Sequence, residues 1–211
     1  MRSNLKINLF LFALIAVAMA MTGCSSLQGK VKNDSYVAPA GIFSCPIPYS
    51  KLAHPVEIQD TLDKEKGVVM GGSLRFLGWV GVYRIDYMAA TNASLQEEIN
   101  RMLNIQLDWY RRVPSPQAHV LHQEFDGEHL FAVLVAPEGR SDITDNYGKH
   151  PDLCRSMLIF RHGYYIYAVS ADANDSLEAK SGDKSPERLK SLRKQIDEFV
   201  ETINFSTTAT N

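Results

Sequence analysis

Within residues 129–136 the stretch LFAVLVA is apolar at every position. A half-buried strand alternates apolar with polar residues, so a run without alternation reads as a central strand of a sheet. Such a strand needs partners on both sides, and the flanking sequence supplies them. Residues 117–125 form a second strand, joined to it at Asp126-Gly127, a hairpin turn signal. Residues 154–160 and 164–170 make another hairpin around Arg161-His162-Gly163. Upstream, residues 41–48 (GIFSCPIP) are a short apolar segment closed by two prolines, which suits a first or edge strand. Residues 56–62 are a weaker strand, and 67–70 a short one. Residues 75–88 read as one long strand of period two, with Trp79, Tyr83, Ile85 and Tyr87 on one face and Val80, Val82, Arg84 and Asp86 on the other. Trp79 and the tyrosines are expected to pack the strand rather than line a ligand site.

Two segments carry the helical period instead. Ser94-Leu95-Gln96-Glu97 is a capping box, followed by Leu95, Ile99, Met102, Leu103, Ile105, Gln106 and Trp109 as far as Val113, with Pro114 and Pro116 as the stop. Ser185 caps the second helix and Pro186 takes its first position, and Leu189, Leu192, Ile196, Phe199, Val200 and Ile203 form one stripe. Strands, helix, four strands and helix make an α+β domain, a largely antiparallel sheet packed by two main helices.

The first 23 residues stand apart. Arg2 and Lys6 without an acid precede a thirteen-residue apolar run, LFLFALIAVAMAM, which reads as a cleavable leader. A membrane-spanning helix needs roughly 20 apolar residues, so the run is too short to serve as one. The net charge is −2, and −4 without the two leader cations, with no basic block, which disfavours a nucleic-acid partner.

The junction Met21-Thr22-Gly23-Cys24 resembles the lipobox of bacterial lipoproteins, with Met21 where Leu is usual. The resemblance implies that residues 1–23 are removed, that Cys24 carries a diacylglyceryl thioether, and that its new amino group is acylated, palmitate being the expected chain. Two or three chains hold firmly where one is marginal. Ser25 and Ser26 replace the Asp that retains inner-membrane lipoproteins, which implies the periplasmic face of the outer membrane in a Gram-negative host. Residues 24–40, polar or small, then read as the lipidated Cys and a flexible tether spanning on the order of 20–25 Å. The domain follows over 41–205, with a tail over 206–211.

With Cys24 acylated, Cys45 and Cys154 remain, an even number in an oxidising compartment, and a disulfide between them is the expectation; two separate buried thiols are the alternative. Neither lies in a C-x-x-C, which argues against redox catalysis.

The segments GIFSCPIP, MLIFRHGYYIYAVSA and the closing helix ending EFVETINF resemble the PsbP-like α/β/α fold. That resemblance implies a binding or assembly module without a shared catalytic set.

Motifs for chemistry are sparse. His54, His119, His122, His129, His150 and His162 show no metal-ligand spacing, and His119 and His122, three apart in a strand, are expected on opposite faces. Nucleophile elbow, H-E-x-x-H and P-loop patterns are missing. Gly71-Gly72-Ser73 reads as a turn, Arg111-Arg112 as charges suited to a helix C-terminus, and Asn92-Ala93-Ser94 as a helix cap. Residues 142–153 start like a calcium loop but place Tyr147 where Gly belongs and Leu153 where the bidentate Glu belongs. No metal, cofactor or catalytic residue is expected. The leading expectation is therefore a lipid-tethered envelope module with an unidentified envelope protein or ligand as its partner. The alternative is a small periplasmic hydrolase or metal-dependent enzyme using His150 with Asp142, Asp145 or Asp152 in the 137–152 loop.

Overall fold

A computed structural model describes residues 27–48, 56–66, 68–78, 81–139, 152–172 and 184–206. The chain is α+β. Strands β1 (Lys30–Lys32), β2 (Ser35–Val37) and β3 (Phe43–Pro46) precede β4 (Glu57–Glu65), β5 (Val68–Gly78) and β6 (Gly81–Ala89). Helix α1 (Leu95–Arg112) leads to β7 (His119–Phe125), β8 (His129–Ala136), β9 (Leu153–His162) and β10 (Tyr165–Asp172), and α2 (Pro186–Val200) is followed by β11 (Asn204–Phe205). All described strand pairings are antiparallel.

Seven strands form the large sheet in the order β4-β5-β6-β10-β9-β8-β7. The apolar run of β8 is central as expected, paired to β7 and β9 and buried along its length. One face is covered by α1, whose Ile99, Met102, Leu103 and Tyr110 pack on Leu130, Met157, Ile159 and Ile166. The other is covered by α2, through Leu192, Ile196 and Phe199, and by a small sheet β1-β2-β3-β11. Phe43 of that small sheet meets Tyr87 edge-on at 5.6 Å, and Phe205 meets Tyr167 at 4.7 Å. Both helices start where their sequence signals stand. Ser94 accepts from the Glu97 N–H and Glu97 reaches back to Ser94, while Ser185 accepts from the Arg188 N–H.

Several expectations change. Residues 30–38 are not a tether: β1 and β2 join the small sheet, and Tyr36 and Ala38 are core residues. Their hold is long-range, because Asp60 of β4 accepts the N–H groups of Gln28 and Gly29 and the Tyr36 hydroxyl. The long strand over 75–88 is two strands, with Gly78 paired to Gly81 and Trp79 and Val80 outside the described residues. The first of them, β5, also takes in the short strand expected over 67–70 and Gly71-Gly72-Ser73, which pair to β4 and β6 instead of forming a turn. Cys45 and Cys154 are buried thiols with no disulfide between them. They sit on different parts of one face. β3 lies over the Tyr87–Tyr167–Phe160 level of the large sheet. Cys154 is six residues along β9 from Phe160, on the order of 20 Å. A bridge requires Cα atoms within about 7 Å.

Candidate functional site

The α1 face of the large sheet is apolar on β8 and β9 and turns polar toward β6 and β5. Register places Arg75 beside Arg84, Ser73 beside Asp86, and Arg84 beside Ser170, all on this face. Asp172 of β10 pairs with Arg155 of β9 at the adjoining corner. Three guanidinium groups therefore gather with two carboxylates under the C-terminal half of α1.

The ion pairs are short. Arg155 Nε donates to Asp172 Oδ1 at 2.6 Å, and the Tyr110 hydroxyl lies 3.5 Å from the same oxygen. Arg84 Nε stands 2.5 Å from Asp86 Oδ2, but the N–H is misaligned; among the described residues Asp86 Oδ2 has no donor and Nε and Nη1 of Arg84 have no hydrogen-bond acceptor. Nη1 of Arg155 is in the same position. Trp109 lies across the group, with the guanidinium carbons of Arg84, Arg75 and Arg155 at 4.9, 5.3 and 5.8 Å from its ring. Cation–π attraction at partly desolvated sites contributes on the order of 1–2 kcal/mol per contact.

Burial, then the neighbouring Arg84 charge, lowers the Arg75 pKa. For Arg155 burial also opposes the charge, but the Asp172 carboxylate, through charge and hydrogen bond, outweighs it and raises the pKa. Burial holds Tyr110 well above the usual tyrosine value, so it is a neutral donor here.

Beside this cluster a cavity of about 170 Å³ opens between α1 and the β5–β6 hairpin. Its floor is Gly72, Arg84, Asp86 and Met88, and its α1 wall is Met102, Ile105, Gln106, Trp109 and Arg112. Gln106 is 3% exposed and its Oε1 has no donor. Among the described residues no serine, cysteine, histidine or lysine lines the cavity. The arrangement thus offers cationic donors and an apolar wall, which suits recognition.

The residues expected to matter fall elsewhere. Cys24, His54, His150, Asp142 and Asp145 lie outside the described residues. Asp152 accepts the Glu138 N–H at 2.9 Å, holding one end of its loop. His119 is exposed and His122 packs against Phe131 at 5.9 Å. The register shift between Val120 and His122 pairs the two histidines with Val135 and Val133, both of the α2 face, so they share a face instead of lying on opposite ones as expected. His129 pairs with Asp126 at 3.4 Å, and His162 packs on Phe205. Among the described residues no three His, Cys, Asp or Glu side chains gather as a metal ion requires. No described helix is long and apolar enough to cross a membrane. The Arg75–Arg84–Arg155 cluster was missed. Its signal was present as charges inside β-runs: Arg84 and Asp86 alternating with apolar residues, and Arg155 at the head of SMLIF.

No family model matches the sequence, and no curated protein matches it significantly. Among solved structures the fold is similar to that of the Saccharomyces cerevisiae Ran-binding protein Mog1p, at 12% identity, with a TM-score of 0.48 over 85% of this chain and 96% of that one.

Proposed function

We propose that this is a lipoprotein of the bacterial envelope, anchored through Cys24 to the periplasmic face of the outer membrane, and that it works as a binding module through the cleft under α1. The binding role is carried by one observation: buried guanidinium N–H groups of Arg84 without acceptors among the described residues, at a cavity that is part apolar and part polar. Buried polar groups are nearly always satisfied, and an orphaned charged donor is costly enough to imply a partner that completes it.

The lipobox supports the anchor, and the fold defines its length. Asp60 fixes the backbone at Gln28, four residues after Cys24. At about 3.3–3.6 Å per extended residue, the span from Cys24 to Gln28 is no more than about 14 Å. A lipidated chain is therefore held close against the bilayer. Exposed Lys30 and Lys32 of β1 lie next to that point, where each cation near anionic headgroups contributes about 1 kcal/mol.

The test is intact mass and membrane fractionation of the full chain beside Cys24→Ala. A mature chain that begins at Cys24 with added acyl mass and sediments with membranes, both lost in the variant, is expected. A soluble, unmodified product would remove the anchor from this reading.

A further inference from the structure

We propose that the α1 cleft takes a small oxyanion, a carboxylate or a phosphate, carried on an apolar body about the size of one aromatic ring; this rests on reading the cleft as a binding site. Three features of the site point to that chemistry.

Charge comes first. Asp86 and Asp172 each have an arginine at ion-pair distance, Arg84 and Arg155, which leaves Arg75, on the same face beside Arg84 and behind the cavity wall, without a carboxylate among the described residues. Arg112 adds a further guanidinium at the cavity wall. An entering anion restores the balance, whereas a cation would add to the excess.

Donor geometry comes second. Arg84 is 7% exposed, lines the cavity, and has two N–H-bearing nitrogens without acceptors. A guanidinium presents its donors in a planar fork that matches the paired oxygens of a carboxylate or phosphate. With Trp109 lying over it, that interaction occurs at low dielectric, where it is stronger than in water.

Shape is third. The cavity of about 170 Å³ is on the scale of the roughly 150 Å³ cavity known to hold benzene. Met88, Met102, Ile105 and the Trp109 ring form its apolar part, opposite the arginine end. The ligand therefore has two ends.

Trp109 reports occupancy directly. The chain has two tryptophans, so Trp79→Phe makes Trp109 the sole emitter. The full mature chain, kept in non-ionic detergent, is titrated with benzoate, phenyl phosphate, benzyl alcohol and benzylammonium. Benzoate or phenyl phosphate should change the emission saturably, bind at least tenfold more tightly than benzyl alcohol, and weaken as salt rises; benzylammonium should not bind. The tighter of the two anions identifies the oxyanion. Arg84→Gln should abolish anion binding. Arg112→Gln, at an exposed position, should weaken it about threefold to tenfold and still report should Arg84→Gln fail to fold. Equal binding of benzyl alcohol and benzoate, unaffected by Arg112→Gln, would overturn the oxyanion while leaving a cleft that binds apolar ligands. No binding of any probe would overturn both.

Discussion

Asp60 accepts the Tyr36 hydroxyl at 2.7 Å, and through the same carboxylate it holds the backbone N–H groups of Gln28 and Gly29 at 2.9 and 2.8 Å. One side chain of β4 thus fastens the start of the fold to the large sheet. Gly29 is required there, since a Cβ would stand 2.4 Å from the Tyr36 ring.

Asp60→Ala should lower stability by about 2–3 kcal/mol, because it strands two part-buried donors, the Gly29 N–H and the Tyr36 hydroxyl, and releases the exposed Gln28 N–H to water. Tyr36→Phe, which removes a single donor, should cost about 1 kcal/mol. Denaturant midpoints measure both. Hydrogen exchange over 28–37 should quicken in Asp60→Ala more than exchange in β8–β10.

Phe43 is 1% exposed and joins the small sheet to Tyr87 and Tyr167 of the large one. Phe43→Ala should cost about 3–5 kcal/mol, the range for a buried aromatic that leaves a cavity. Thermal unfolding of the variant would show the loss.

Alkali should destabilise the fold. Burial is the main cause that holds Tyr36, Tyr87, Tyr110 and Tyr167 above the usual tyrosine value, and it pushes the Cys45 thiol up to about 12. Above about pH 9 the unfolded chain loses protons, first from cysteine and then from tyrosine near pH 10, that the native state keeps. Stability is therefore intact below pH 9 and falls as pH rises. Tyrosinate absorbance from these four residues should appear together with unfolding rather than as a titration near pH 10.

Cys45 and Cys154, 1% and 2% exposed, should resist a water-soluble thiol reagent in the native chain and react once denaturant is added. Mobility on electrophoresis should be the same with and without reductant. A reductant-dependent shift would restore the disulfide.

The legible parts of the fold are those fixed by local chemistry. The capping box at Ser94–Glu97, Pro186 behind Ser185, and the turn at Asp126, whose carboxylate accepts the Glu128 and His129 N–H groups, each act within a few residues. β1 and β2 escaped notice because Lys30 and Lys32 are exposed and what holds the segment is Asp60, some thirty residues away. The break in residues 75–88 is legible in hindsight as a change of phase. Leu74 and Phe76 face the α2 side from even positions, while Tyr83, Ile85 and Tyr87 face it from odd ones, and Gly78 and Gly81 bracket the reversal. The cleft is the least legible part. Alternation put Arg84 and Asp86 off the apolar face, but only tertiary packing brings Arg155, Asp172 and Trp109 beside them. Arg112, which suits the helix C-terminus, also lines the cavity.

Whether ligand recognition resides under α1 or in the loop beyond Gly139 is settled most directly by mapping backbone and side-chain NMR shifts across the whole chain as benzoate is added. The account predicts saturable changes confined to 102–112 of α1, to 84–88 of β6 and to the indole of Trp109. Changes concentrated in 140–151, with α1 silent, would contradict it and return the loop carboxylates and His150 to the centre of the problem.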